Sequence, residues 1–435
     1  MQLSKYNILS HSGNKVLIFN SLSGNFACCD EQSSISLYLQ GRLKDLPLDD
    51  KNILLNKGFV VEKPELEKLK AQKKLYDFIY DNTLDLVIMP TMQCNFRCIY
   101  CYEDFVMGKM SEEAIESITN YLRRSLSKHS GLSIGWFGGE PLLAIRQMEL
   151  LSEQAIKLCS YLKIPYSSSI VTNGYLLTPD VIKKLLKMRV YKMQITIDGT
   201  EKFHNKNRVL ADGKGTFQKI INNLLYIRDN IKSANLQIFI RCNISQTNIN
   251  DMSRFVNQLN EQFGTDRRFK FYFHPIEDWG GNKVNQIKNE LLQGADLFFN
   301  TLLEFSSKIQ IENSFKALQS SAMCNSIKIN HFAIDPNLNI YKCSLYKNDQ
   351  YSRIGKLIEG EMVLDDGKLE QWSFSTFNEY AHCLNECPMF ANCFARICPY
   401  KMNGDKIFYC KNKIEKVSKM LEINYKLNPS KYEMI

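Results

Sequence analysis

The sequence lacks several features that mark whole classes of protein. No apolar run approaches the ~20 residues that a membrane-spanning helix needs, and residues 1–13 show no basic segment followed by an apolar one, as a secretory signal would. Its lysines and arginines form no dense block, and there is neither an internal repeat nor a low-complexity tract. These absences predict a cytosolic protein with no membrane or nucleic-acid partner.

What is present is typical of a globular protein with more than one structural unit. The 435 residues are 44% hydrophobic and 23% charged, and 55 basic against 46 acidic residues give a net charge of +9. Because cores stop growing near ~250–300 residues, we expect two or three units. We place a first unit at residues 1–80, a main domain at 81–312 and a cysteine-rich unit at 313–435.

The main domain alternates apolar, strand-like runs with longer helical stretches. Six strands are predicted, at Leu84–Met89, Leu132–Phe137, Ser167–Thr172, Val190–Ile197, Leu236–Cys242 and Phe269–His274. Helices are predicted at Ser111–Ser127, Leu142–Leu162, Pro179–Met188, Thr216–Ile231, Ile249–Phe263 and Gln286–Ile309. This alternation implies right-handed crossovers and a parallel sheet that binds ligands at the carboxyl ends of its strands. Six units are too few for the eight-fold barrel, so the predicted fold is an α/β partial barrel of six β/α units.

The first unit has a different pattern. Lys15–Asn20 and Asn25–Cys29 flank Ser21–Gly24, which predicts a β-hairpin, and the charged segment Glu62–Tyr80 predicts a helix. Such a unit is a candidate module for docking a leader peptide by pairing with a sheet edge. A lid or a simple packing unit stays open as an alternative.

Fourteen cysteines carry most of the chemical information. Cytosolic thiols stay reduced, so these residues are expected to be metal ligands or core residues rather than disulfides. Cys94, Cys98 and Cys101 follow the first strand with the spacing C-x3-C-x2-C. A four-iron cluster held by three cysteines keeps one open iron, whereas structural zinc usually takes four protein ligands. Cys159, on a helix face, and Cys242, in a strand, are predicted to be core residues.

The cysteine motif after a first strand resembles that of the radical S-adenosylmethionine (SAM) superfamily. The resemblance implies that a [4Fe–4S] cluster on these three cysteines reduces SAM and releases a 5′-deoxyadenosyl radical. It also implies that Tyr100, just before the third cysteine, packs near adenine. A zinc knuckle remains the alternative for this loop.

Later strand ends resemble the other SAM-binding motifs of that family. The residues that this resemblance assigns to SAM are Gly138, Gly139 and Glu140 after the second strand, Asn173 after the third, and Thr196 and Asp198 at the fourth. Arg208 and Arg241 are candidates for binding the SAM carboxylate, with an ordinary salt bridge as the alternative for each. His274 and Asp278, on either side of Glu277 beyond the sixth strand, are candidate acids or bases for the substrate.

The seven tail cysteines resemble the SPASM extension of peptide and sulfatase maturases, which implies two auxiliary [4Fe–4S] clusters. One cluster would be held by Cys383, Cys387, Cys393 and Cys410, and the other by Cys324, Cys343 and Cys398. Leu338 stands where the family pattern has glycine. No additional cysteine lies between Cys242 and Cys324 to complete the second cluster, so we expect an open iron, a substrate thiolate or an unusual ligand there. Zinc sites are the alternative for this tail.

These resemblances imply a radical SAM maturase that oxidises a ribosomally made precursor peptide, with a flavodoxin or ferredoxin as electron donor. The product would be a thioether, a carbon–carbon or carbon–oxygen crosslink, or an epimerised centre. One alternative is an anaerobic sulfatase maturase that oxidises Cys or Ser to formylglycine. Another is a non-catalytic zinc protein that binds a peptide.

Overall fold

The structure is a computed structural model of the 435-residue chain. It describes residues 1–277, 283–292, 297–298, 301, 304–305, 324–345, 352–374, 385–392 and 406–435. Among the predicted site residues, Asp278, Cys383, Cys393 and Cys398 lie outside this described part of the chain.

The strands and helices are numbered in chain order. The strands are β1 (Gln2–Leu3), β2 (Asn7–Ser12), β3 (Lys15–Asn20), β4 (Phe26–Asp30), β5 (Val60–Val61), β6 (Thr83–Ile88), β7 (Gly131–Trp136), β8 (Tyr166–Thr172), β9 (Val190–Thr196), β10 (Gln237–Ile244), β11 (Phe269–Pro275), β12 (His331–Ile334), β13 (Asn339–Tyr341), β14 (Arg353–Ile358), β15 (Glu361–Leu364) and β16 (Glu433–Met434). The α-helices are α1 (Ser34–Leu39), α2 (Leu48–Asn56), α3 (Pro64–Ile79), α4 (Glu112–Ser125), α5 (Ile145–Leu162), α6 (Pro179–Lys187), α7 (Glu201–Asn207), α8 (Phe217–Asn230), α9 (Met252–Phe263), α10 (Asp366–Phe374) and α11 (Lys406–Leu427). No helix of the described residues is long and apolar enough to cross a membrane.

The chain divides into two compact units. The small unit comprises residues 1–81, 312–329 and 370–435, and the sheet unit comprises 82–311 and 330–369. The division differs from the predicted separate unit at 313–435, because β12 pairs with β6 and so brings residues 330–369 into the sheet unit. Sequence patterns do not reveal such long-range strand pairing.

The sheet unit is an open α/β structure, as predicted. Its strand order is β11-β10-β9-β8-β7-β6-β12-β13-β14-β15, and every pair from β11 to β12 is parallel. The six predicted strands correspond to β6–β11, within a few residues at each end. Because these strands run in one direction, their carboxyl ends lie along one edge of the sheet.

Local sequence explains these elements. Along β6, Leu84, Leu86 and Ile88 are buried and alternate with less buried residues. Ser111 caps α4 by accepting a hydrogen bond from a backbone amide of the first turn, and Thr178 caps α6 in the same way. Helices α4, α5, α6, α8 and α9 confirm five of the predicted helices.

The helix predicted at Gln286–Ile309 is wrong at its start. Val284–Glu290 forms a 3-10 helix instead, and Leu291 beyond it is extended. The carbonyl of Glu290 accepts a hydrogen bond from the amide of Gln246, so it cannot continue a helical ladder. Most of the remaining predicted range lies outside the described residues.

The small unit confirms the predicted hairpin and charged helix. Strands β2, β3 and β4 pair antiparallel, and Gly24, with a φ of +78°, closes the turn between β3 and β4. Val16, Ile18, Ala27 and Cys29 form the centre of an apolar core beneath α1 and α2. Helix α3 accounts for the predicted charged helix.

A strained turn joins β12 to β13 in the sheet unit. Leu338, which departs from the family's glycine, has a φ of +63°, a conformation that costs a non-glycine residue roughly 1–2 kcal/mol. Asp335 holds the turn by accepting hydrogen bonds from the backbone amides of Asn337 and Asn339, both at 2.9 Å. The backbone thus retains the geometry that glycine favours.

We expect Leu338→Gly to raise the free energy of unfolding by about 0.5–1 kcal/mol, because relief of strain exceeds the entropic cost of glycine. Chemical denaturation of the purified protein measures this change. Leu338→Ala is the matched control, since it removes side-chain contacts and keeps the strained φ, and it should lower stability. A less stable glycine variant would contradict the prediction.

Candidate active site

A cavity of about 380 Å³ opens at the carboxyl ends of the parallel strands. Eleven of the predicted site residues line it, namely Cys94, Cys98, Tyr100, Cys101, Gly138, Gly139, Asn173, Thr196, Arg208, Arg241 and His274. Glu140 and Asp198 lie behind the wall, fully buried. The fold therefore brings together residues that are up to 180 positions apart in the chain.

The cysteine loop, residues 94–101, is fixed by backbone pairing with the segment after α7. The amide of Arg97 donates to the carbonyl of Val209 at 2.8 Å, and that of Ile99 donates to Asn207 at 3.0 Å. Phe96, 1% exposed, anchors the loop by burying its ring. These contacts present all three thiols to one cavity.

Burial controls the chemistry of the thiols. It raises the pKa of Cys94 to about 12 and that of Cys98 to about 11, where nearby Arg208 opposes the rise. Burial also raises the pKa of Cys101. Without a metal these groups stay protonated at neutral pH, so metal binding has to displace their protons.

The donor set suits an iron–sulfur cluster. Three thiols from one loop face a shared cavity, and cysteine thiolates are the usual ligands of four-iron clusters. In the described ranges, no three His, Cys, Asp or Glu side chains converge on a single-ion site.

Two adjacent glycines let β7 end directly against the cysteine loop. Gly138 has a φ of +113°, and a Cβ on it would meet the carbonyl oxygen of Thr91 at 2.5 Å. A Cβ on Gly139 would meet the carbonyl oxygen of Met92 at 2.5 Å and that of Gln93 even more closely. The glycines thus serve close backbone packing against the loop as well as exposing backbone to the cavity.

Gly139→Ala is expected to lower SAM cleavage by more than about 100-fold, because the added methyl group has to push the cysteine loop away from its position, and small misplacements of reacting groups cost this much. Quantifying 5′-deoxyadenosine by liquid chromatography measures the effect. Gly135→Ala in the same strand is the matched control, since its Cβ would meet no atom closer than 3.7 Å. Equal activity of the two variants would contradict the prediction.

Glu140 ties two strand ends together. Its carboxylate accepts hydrogen bonds from the Thr172 hydroxyl at 2.7 Å, the Asn173 amide at 2.8 Å and the Leu142 amide at 3.1 Å. Burial raises the pKa of Glu140, and these donors oppose the rise. The carboxylate positions Asn173, whose side-chain amide donates to Asn95 in the cysteine loop at 2.8 Å. Its predicted contact with the SAM ammonium stays a prediction.

Tyr100 joins the cysteine loop to a buried polar network. Its hydroxyl donates to Asp198 and accepts from Arg208 at 2.7 Å and from the Asn243 side chain at 3.0 Å. Asp198 also accepts from the backbone amide of Asn243 at 3.1 Å. The network fixes the Tyr100 ring at the cavity wall, where its predicted packing against adenine stays a prediction.

Two guanidinium groups face the cavity. Nε of Arg208 is buried and has no hydrogen-bond partner among the described residues. Arg241 donates from Nε to the Asn243 side chain at 2.9 Å and lies over the Tyr272 ring, with 5.9 Å between the guanidinium carbon and the ring centroid. A buried donor without an acceptor suits an anionic ligand, so this wall fits the carboxylate of SAM.

His204 supports this wall and was missed from the sequence. Its Nδ1 accepts from the Asp198 amide at 3.2 Å, and its Nε2 contacts the Thr216 hydroxyl at 2.9 Å. That hydroxyl gives its proton to the Arg208 carbonyl at 2.6 Å, so Nε2 of His204 carries the ring proton. Burial, with Arg208 nearby, holds the pKa of His204 well below its usual value. The spacing of four residues between His204 and Arg208 was the available signal.

Sequence reasoning also missed Asn243 and Phe105. Asn243 was predictable in principle, because it follows Arg241 by two residues and so shares its face of β10. Phe105 lines the cavity with a φ of +57°, and the side chains of Arg97 and Lys283 lie 4.9 and 4.8 Å from its ring centroid. No local pattern predicts this placement of Phe105.

The substrate-side candidates are partly placed. His274 and Glu277 line the cavity beyond β11, whereas Asp278 falls outside the described residues. Nδ1 of His274 lies 2.6 Å from the carbonyl oxygen of Pro275 and therefore carries a proton. An acid or base role for His274 stays a prediction.

The tail cysteines are described only in part. In the small unit, Cys324 accepts a hydrogen bond from the Ser326 hydroxyl at 3.1 Å, and Cys387 packs beside the apolar cluster that includes Met389. Cys410 falls within α11. In the sheet unit, Cys343 follows β13, and Leu345 two residues later lines the cavity. The predicted auxiliary cluster assignments stay predictions.

Comparison with known proteins agrees with this geometry. Residues 88–255 match the model of the Radical SAM superfamily. The cysteine-type anaerobic sulfatase-maturating enzyme of Clostridium perfringens is 24% identical over 340 residues, which are 71% of this chain and 87% of that enzyme. The radical SAM cyclopropyl synthase TigE of Paramaledivibacter caminithermalis is 25% identical over 274 residues, covering 52% of this chain and 54% of TigE.

A solved structure shares the fold. The structure described as native anSMEcpe with bound AdoMet and Cp18Cys peptide has a TM-score of 0.60 and 20% sequence identity, and the match covers 80% of this chain and 99% of that one. The matched family segment runs from the end of β6 into α9 and contains the cysteine loop and the strand ends of β7–β10.

Proposed function

Because this chain carries a radical SAM domain and is an enzyme, we propose that it is a SAM-dependent maturase that oxidises a ribosomally made peptide. The observation that carries the proposal is the single cavity in which three cysteine thiols of one loop meet the ends of β7–β11. The alternative of a non-catalytic zinc protein is wrong, because the family match and the maturating relatives indicate an enzyme.

The radical SAM family implies SAM and a [4Fe–4S] cluster. Cys94, Cys98 and Cys101 would hold this cluster and leave one iron for the amino and carboxylate groups of SAM. When bound, the cluster supplies the electron that cleaves the S–C5′ bond of SAM to give a 5′-deoxyadenosyl radical. The protein's part is to position the reactants and exclude competing chemistry.

The chain's own residues would bind and orient SAM. The Arg208 and Arg241 guanidinium groups would pair with the carboxylate of SAM, since charge-assisted bonds of this kind are strong. Tyr100 would present a ring held by Asp198 to the adenine. Glu140 would keep Asn173 and the cysteine loop in register.

A peptide substrate is supported by relatives that act on or bind polypeptides, namely the sulfatase-maturating enzyme and the structure with a bound Cp18Cys peptide. We propose hydrogen abstraction from the peptide and oxidation of the resulting carbon radical to a thioether, a carbon–carbon or carbon–oxygen link, or a related product. The tail cysteines would hold two further clusters, and a flavodoxin or ferredoxin would deliver electrons. The first unit would dock a leader peptide.

Sulfatase maturation is the second candidate. The 87% coverage of the Clostridium perfringens enzyme favours it, as does the TM-score of 0.60 with anSMEcpe. Residues 1–81, which in the small unit form a hairpin sheet and three helices, slightly favour a smaller peptide substrate with a docking segment.

Anaerobic reconstitution with iron and sulfide, followed by SAM and dithionite, tests the proposal. We expect a brown protein that forms 5′-deoxyadenosine, and a synthetic precursor peptide encoded beside this chain should lose two hydrogens by mass spectrometry. Formation of formylglycine on a sulfatase peptide, with the precursor unchanged, would favour the second candidate. A colourless protein containing zinc and no cleavage would refute both.

A further inference from the structure

The outer edge of β4 in the small unit is occupied by a very short strand. Glu433–Met434 forms β16 and pairs parallel with Ala27 and Cys28, and the Ile435 amide donates to the Cys28 carbonyl at 2.9 Å. β4 itself extends over five residues, Phe26–Asp30. The edge is thus competent to accept an added strand, and the observed strand covers less than half of it.

Side chains give the edge a readable pattern. Glu433 forms an ion pair with Lys57. Met434 places its sulfur 3.7 Å from both the Cys28 thiol and the Lys15 ammonium. Ile435 packs partly buried against the apolar core cluster of the small unit. An acidic residue followed by two apolar residues therefore matches the edge.

Little holds β16 in place. Both of its residues are exposed, and Glu433 of the ion pair is 65% exposed in its side chain, where such pairs contribute little to stability. A longer strand that paired with all of β4 would make more backbone hydrogen bonds than these two residues do. The occupant is replaceable on these grounds.

We propose that residues 433–435 are a displaceable occupant of a peptide-binding edge, and that an extended substrate segment with the pattern acidic–apolar–apolar replaces them on β4. This inference rests on the proposed peptide substrate and specifies where and how that peptide docks. Main-chain pairing supplies affinity in this mode, and alternate side chains supply specificity. Residues 433–435 would then suppress binding of segments that fit poorly.

The test compares the full-length protein with its Ile435→Pro variant, which lacks the amide that donates to Cys28. The probe is a fluorescein-labelled peptide, Gly-Ser-Glu-Met-Ile-Gly-Ser, followed by fluorescence anisotropy. We expect the variant to bind the probe at least tenfold more tightly than the unaltered protein. Glu433→Lys, which disturbs only the ion pair, should show a smaller gain and guards against misfolding of the proline variant.

A charge reversal tests the pattern. Adding Lys57→Glu to the Ile435→Pro variant should weaken binding of this probe and favour the probe with Lys in place of Glu. Equal binding to the unaltered and Ile435→Pro proteins would overturn the proposal, as would no binding to either released variant, or self-association of the variants through the freed edge. These measurements need no SAM cleavage, so failure of the docking edge is distinguishable from failure of the maturase proposal.

Discussion

Replacing Cys98 with alanine is expected to lower formation of 5′-deoxyadenosine by far more than about 100-fold, which is the upper range for losing a mere outer partner of a metal ligand. The Cys98 thiol is 9% exposed, lines the cavity and belongs to a loop that β7 packs against. Burial raises its pKa to about 11, so a free thiol here is inert and a metal is needed to make it a thiolate. Its loss would leave the iron cluster with two protein ligands.

The measurement pairs anaerobic product analysis with iron and sulfide content. Cys159→Ala is the matched control, because Cys159 is also 1% exposed but lies on α5 away from the cavity lining. That variant should keep its iron and its activity. A Cys98→Ala protein with undiminished cleavage of SAM would refute the radical interpretation.

The sheet and the motifs at its strand ends were predictable because both depend on local sequence. Alternating burial along β6 and the capping residues Ser111 and Thr178 act within a few residues of where they stand. Parallel strands then force motifs such as Asn173 and Arg241 to one edge, whatever their separation in the chain. For this reason most of the predicted SAM residues line one cavity.

Other features depend on contacts that local sequence does not encode. Pairing of β12 with β6 brought residues 330–369 into the sheet unit, and pairing of β16 with β4 joined the last residues of the sequence to the first unit. Glu140 was expected at the ligand, whereas its oxygens already accept three protein donors behind the wall. A motif identifies a carboxylate, but only the fold shows which donors reach it first.

Arg208→Met is expected to lower the stability of the sheet unit by about 3–5 kcal/mol, the usual cost of leaving a buried charge without its partner. Arg208 is 7% exposed, donates to Tyr100 and opposes the burial that raises the pKa of Asp198. Without the guanidinium, Asp198 is 0% exposed and lacks its main compensating cation. Urea denaturation of the variant and the unaltered protein measures the difference.

The pH dependence separates an electrostatic role of Arg208 from simple packing. The folded-state pKa of Asp198 is raised by burial, so its contribution to stability is greatest below the unfolded value and is lost as pH rises through the folded value. Removing Arg208 raises that pKa further, and the loss of stability should therefore be larger at pH 8 than at pH 5. Asp198→Asn combined with Arg208→Met removes the titrating group, so its deficit should be smaller and independent of pH. An equal deficit for the single variant at both pH values would show that Arg208 acts by packing alone, because a buried carboxylate cannot lose its cation without becoming easier to protonate.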